Sequence, residues 1–109
     1  MSEERIASLS LQCDGPRDGA LLRFSLGNAL LSAGHLRPAI DAYRRAVAFD
    51  PDYSAAWKLL GKAQLDAGEP EAAADAWRNG VIAAVKLGDK QAEKEMGVFL
   101  RRLDKAHPR

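Results

Sequence analysis

The sequence is short of nearly everything that chemistry at a site demands. Histidine occurs twice, at His35 and His107, and cysteine once, at Cys13. A single cysteine excludes an intramolecular disulfide and fits a reducing compartment. Two histidines far apart supply neither a metal-ligand set nor the base of a nucleophilic triad. Cys13 has only Arg17 as a basic neighbour in sequence, and it reads as a structural or bystander thiol. The glycines of "GNALLSAG" and "GKAQLDAG" lie inside and after helical patterns, not between a strand and a helix, so they form no phosphate loop. The expectation is a chain that is no enzyme and holds no cofactor or metal.

Excess charge and long apolar runs are missing as well. Sixteen Lys and Arg oppose fifteen Asp and Glu, a net charge of +1, so no whole-molecule field draws in nucleic acid or an anionic membrane. No uncharged apolar stretch nears the roughly 18 residues of a membrane span. The start, "MSEERIASLSLQCDG", carries two acids before Ile6 and does not read as a signal peptide. The expected location is cytoplasmic. With 109 residues, 47% of them apolar and 28% charged, the chain has material for one globular domain with a modest core.

What is present is a duplication. Residues 20–53 laid over 54–87 match at eleven positions. They include Leu26/Leu60, Gly27/Gly61, Gly34/Gly68, Ala39/Ala73, Arg44/Arg78 and Val47/Val81. Ordinary composition would give about two or three. A period of 34 residues belongs to stacked supersecondary units. Inside each unit the apolar spacing is helical, as in Leu22, Leu26, Ala29 and Ala33, or Ala39, Tyr43, Ala46 and Val47. Gly34 and Gly68 stand where a first helix should end in a left-handed cap. Asp18 and Asp52 are expected N-caps of the first helices. Pro38 and Pro70 fall in the first turn of the second helices, where a missing N–H costs little. Each unit is therefore helix, tight turn, helix. Gly27/Gly61 and Ala39/Ala73 let the helices of a pair approach closely, and Tyr43/Trp77 fills the space beside them.

These residues resemble the tetratricopeptide repeat family. The second unit supplies Trp57, Leu60, Gly61, Ala73 and Trp77 of its pattern; the first supplies Leu26, Gly27, Ala39, Tyr43, Ala46 and Pro51. The departures are Arg23 for an aromatic, Leu30 and Gln64 for a tyrosine, Gly80 for an alanine and Val85 for a proline. The last departure predicts a final helix running on to Leu87. The resemblance implies an all-α superhelix of two stacked antiparallel helix pairs with capping helices at the ends. The division is a segment over 1–17 with a short helix capped by Ser2, repeats over 18–53 and 54–87, and a capping helix with a basic tail over 88–109. Asp89 should cap that last helix, whose apolar stripe is Ala92, Met96, Phe99 and Leu103.

The resemblance also implies a concave face lined by the first helix of each pair. Its exposed positions correspond to Leu21, Phe24, Asn28, Leu31 and Ser32, then Ala55, Lys58, Lys62, Leu65 and Asp66. Leu21, Phe24 and Leu31 form a second apolar side on their helix, surplus to packing within the pair. The expected function is a protein–protein interaction module, with Phe24 and Leu31 as anchors and Lys58 and Lys62 selecting an acidic neighbour. On that reading Phe24→Asp abolishes capture and leaves the fold intact. The carboxylate clamp of some relatives is broken here, since Phe24 and Leu59 replace its lysine and one asparagine, leaving Asn28. Three alternatives stay open. The chain's own ends cover the strip, exposed repeat ends drive homo-oligomer formation, or the basic C-terminal tail binds nucleic acid weakly. Arg101, Arg102, Lys105 and Arg109 form a basic tail, a weak footprint for nucleic acid without aromatic platforms.

Overall fold

The computed structural model describes residues 2–106 of the chain. Six helices follow one another: α1 (Ser2–Gln12), α2 (Ala20–Ser32), α3 (Leu36–Phe49), α4 (Ser54–Asp66), α5 (Pro70–Leu87) and α6 (Lys90–Ala106). The described residues contain no strand. Helices α2 and α3 form one antiparallel pair and α4 and α5 the next; α3 packs on α4, α1 closes one end against α2, and α6 closes the other against α5 and α4.

The helix ends repeat one device three times. Gly34, Gly68 and Gly88 take φ of +82°, +79° and +73°, a conformation glycine adopts without a Cβ clash. The following N–H then turns back onto the helix, from His35 to the Leu30 carbonyl at 2.9 Å, Glu69 to Gln64 at 2.9 Å and Asp89 to Ala84 at 2.8 Å. Carbonyls that the helix leaves unpaired are thereby satisfied, and the next helix is set antiparallel.

The starts are less uniform. Asp89 caps α6 as expected, accepting a hydrogen bond at Oδ1 from the Ala92 N–H at 3.0 Å. Asp18 and Asp52 do not cap. The cap positions of α2 and α4 fall on Gly19 and Tyr53, without a side-chain hydrogen bond. Both carboxylates are committed elsewhere, Asp18 to the Arg23 guanidinium and Asp52 to the Lys86 ammonium at 3.0 Å. The expected cap at Ser2 lies outside the described side chains.

Small residues set how near the helices come. A Cβ at Gly27 would meet the Tyr43 ring at 2.6 Å, and one at Gly61 would overlap the Trp77 indole. Gly80, where the family pattern has alanine, gives its space to Met96 of α6 and to Trp57. Two core clusters result. One runs through α2, α3 and α4 around Ile40 and Tyr43, and Ile6 and Leu9 of α1 pack against it. The other joins α5 to α6 around Trp77 and Met96. With Val85 in place of a proline, α5 continues to Leu87, and α6 turns back to pack on α5 and α4.

Candidate partner-binding cleft

The candidate site lies between α4, the first helix of the second pair, and α6, with one side chain from α5 beneath. In α4, Lys62, Leu65 and Asp66 fall at i, i+3 and i+4, one strip of the helix surface. In α6, Phe99, Arg102, Leu103 and Ala106 form a matching strip. Between them lies a cleft of about 410 Å³ with Trp77 at its floor. Trp77 is held from below, because its indole N–H donates to the Lys58 carbonyl at 3.1 Å. Phe99 leans on the indole with ring centroids 5.1 Å apart, and the Lys62 ammonium lies 5.6 Å from the Phe99 centroid.

The expected groove residues divide into three groups. Lys62 and Leu65 line this cleft, together with Asp66. Lys58, one turn earlier on α4, is paired with Glu95 of α6 at 3.6 Å. The residues on α2 are mostly engaged by the protein itself. Phe24 is half-buried between Tyr53 and Tyr43, at centroid distances of 4.8 and 6.0 Å. Asn28 accepts the Tyr43 hydroxyl proton at 2.7 Å. Leu31 packs against the first core cluster, and of that apolar strip only Leu21 stands out, 70% exposed. Phe24→Asp would therefore place a carboxylate inside an aromatic trio and disturb the fold, contrary to the expectation above.

The basic tail is not one patch. Arg102 faces the α4–α6 cleft, Arg101 lines the other side of α6 beside Val81 and Leu100, and Arg109 lies outside the described residues.

Sequence reasoning assigned Phe99 and Leu103 to a solvating cap and Trp77 to the core alone, and so missed one wall and the floor of the cleft. The available signal was the strip Phe99, Arg102, Leu103 and Ala106, whose spacing continues a line beyond the expected stripe. It also missed the pairing of Arg23, which occupies the aromatic position of the first unit. Arg23 is 9% exposed, and its Nε and Nη2 donate to Asp18 at 2.8 and 2.7 Å. Nη2 also reaches Asp14 at 3.4 Å. The Arg23 hydrogen bonds, with N–H groups from Asp14 and Gly19, hold the Asp18 carboxyl well below the usual carboxylate range. In the second unit Trp57 makes the equivalent reach backward, its indole N–H donating to the Pro51 carbonyl at 2.8 Å. Two chemically unlike residues thus pin the chain entering each pair.

A family model described as tetratricopeptide repeat matches residues 24–90. This chain belongs to the tetratricopeptide repeat family. A TPR repeat-containing protein of Pseudomonas aeruginosa is 55% identical over 89 residues, which make up 82% of this chain and 85% of that protein. The solution structure of a protein from Bordetella parapertussis is similar with a TM-score of 0.77 and 40% identity, over 97% of this chain and 89% of that one. A tetratricopeptide repeat domain protein from Salinibacter ruber shares the fold at a TM-score of 0.79 and 21% identity, over 88% and 96% of the two chains. The family's fold is a general protein-interaction scaffold and is generally non-catalytic. Among the described residues no helix is long and apolar enough to cross a membrane, and no cluster of metal-ligating side chains occurs.

Proposed function

We propose that this tetratricopeptide repeat chain is a non-catalytic cytoplasmic interaction module, and that its inner face receives a peptide or helix of another protein. The observation that carries the reading is the cleft between α4 and α6, apolar on its walls and floor and bordered by cations. Its volume is within the range of ligand sites, and a few polar groups at an apolar hollow are the usual composition of a recognition site. Leu65 is 37% exposed at its mouth. Burying such surface against a partner is the main source of affinity at an interface, while rim charges select and steer.

The test is capture from native cell extract by the tagged protein, its Lys62→Glu/Leu65→Glu variant and an Ile82→Glu control. Both variants change exposed positions, so the helical circular-dichroism spectrum should persist. The reading expects capture by parent and control and loss in the double variant. Equal capture by all three would overturn it.

A second reading, self-association, is favoured by one observation. Ile82 and Val85, one turn apart on α5, with Leu87 at its end and Phe49 at the end of α3, are 66%, 57%, 60% and 52% exposed, apolar surface that a second copy could cover. Sedimentation across a concentration series tests it, and a monomer throughout removes it.

A further inference from the structure

The α4–α6 cleft is chemically lopsided. Its walls are Leu65, Phe99 and Leu103 and its floor is Trp77, while its charged groups are Lys62 and Arg102 against one carboxylate, Asp66. Among the described residues neither cation has a carboxylate within 4.0 Å, whereas Lys58, one turn before Lys62, is matched by Glu95 at 3.6 Å. Charge along this part of α4 is thus balanced by the protein at one level and left positive at the next. The floor is rigid, since the indole is 2% exposed and hydrogen-bonded to the α4 backbone.

An occupant that complements this cleft needs an apolar group for the hollow and negative charge for its border. A basic segment would be repelled, and a neutral one would leave both cations unmatched. We infer, resting on the function proposed above, that the cleft is the anchor pocket for an acidic partner segment, one in which a phenylalanine or leucine is flanked by aspartate or glutamate. The apolar side chain enters between Leu65 and Leu103 over Trp77, and the flanking carboxylates meet Lys62 and Arg102. Asp66 sits on the same strip as a repulsive element, which disfavours acids placed toward the end of α4.

The experiment uses two fluorescein-labelled nonapeptides, each with one central phenylalanine flanked on both sides by two glutamates or by two lysines. Anisotropy titration against the full chain should show saturable binding of the acidic peptide, weakening as sodium chloride is raised, and little binding of the basic one. Arg102→Glu should weaken the acidic peptide about tenfold, and Lys62→Glu/Arg102→Glu should shift preference to the lysine peptide. Saturable binding of the lysine peptide by a variant that keeps its helical circular-dichroism spectrum separates reversal at the cleft from misfolding. The inference fails if wild type binds both peptides equally, if the double variant keeps the acidic preference, or if the acidic peptide does not saturate.

Sodium decanoate provides a further arm. If it perturbs the Trp77 indole N–H resonance while the acidic peptide leaves that resonance unmoved, the cleft takes free amphiphiles and the peptide assignment is wrong. Loss of partner capture in Lys62→Glu/Leu65→Glu with no binding of either peptide would refute the acidic chemistry and spare the proposed function. Intact capture in that variant would refute the function itself.

Discussion

Gly61 and Gly97 are both inside helices, and replacing each by alanine separates helix propensity from packing. Alanine is favoured over glycine in a helix interior by about 1 kcal/mol, and this gain applies to both sites alike. At Gly97 the added Cβ meets nothing nearer than Arg101 Nη1 at 3.6 Å, an ordinary contact with a flexible side chain. At Gly61 it would overlap the Trp77 indole, which is 2% exposed, hydrogen-bonded to Lys58 and backed by Phe99. The ring cannot move without breaking that bond or shifting α6, so overpacking of about 1–3 kcal/mol is expected. The propensity gain cancels in the comparison, and Gly61→Ala should be less stable than Gly97→Ala by that same amount. Gly97→Ala itself should exceed wild type by up to about 1 kcal/mol. Urea unfolding followed by circular dichroism at 222 nm gives the three midpoints, with equal slopes showing that the unfolded states are comparable. Two alanine variants within about 0.5 kcal/mol of each other would refute the close approach of α4 to α5 on which the packing argument rests.

Tyr43→Phe removes the hydroxyl that Asn28 accepts and should cost about 0.5–1.5 kcal/mol; a double-mutant cycle with Asn28→Ala that shows no coupling would deny this bond a role. Burial pushes Tyr43 up to about 12 from an unfolded value near 10, so stability present below pH 10 should decline from there to pH 12, and less steeply in Tyr43→Phe. Asp18 has the opposite sign. Its carboxyl is depressed by Arg23, so its contribution is present above about pH 4 and lost as pH falls through the folded value. The melting temperature of Asp18→Asn should therefore fall less than that of wild type between pH 5 and pH 2. Gln64 is 4% exposed with an Oε1 that has no partner among the described residues, at the position where the first repeat has Leu30; Gln64→Leu should raise the unfolding free energy read from urea titration by about 1 kcal/mol or more, and a lowered stability would mean that the amide is satisfied.

The architecture was legible because it is written in spacing. Paired glycines at 27/61 and 34/68 and the helical recurrence of leucine and alanine specify short helices, their ends and their closest approaches, and these features depend on local geometry. The N-caps misled because a carboxylate beside a helix start has other claims on it. Asp18 meets a guanidinium five residues on, and Asp52 meets Lys86 from the next pair, a contact that spacing within one repeat does not reveal. The groove was only half legible for the same reason. A pattern shows that Phe24 and Leu31 are surplus to one helix pair, but Tyr53 from the following loop and the core beneath take up that surplus. The cleft needs two strips distant in sequence, Lys62 to Asp66 and Phe99 to Ala106, brought together by the reach of α5 and the space at Gly80.

The claim on which the rest stands is that a partner occupies the inner face between α4 and α6. Site-specific photocrosslinking in the native cell reads it directly, with p-benzoylphenylalanine placed at Leu65 in one strain and at Ile82 of α5 in another. The account predicts a discrete adduct from position 65, reduced by Arg102→Glu, and none of that mass from position 82. Adduct formation at 82 alone would contradict it.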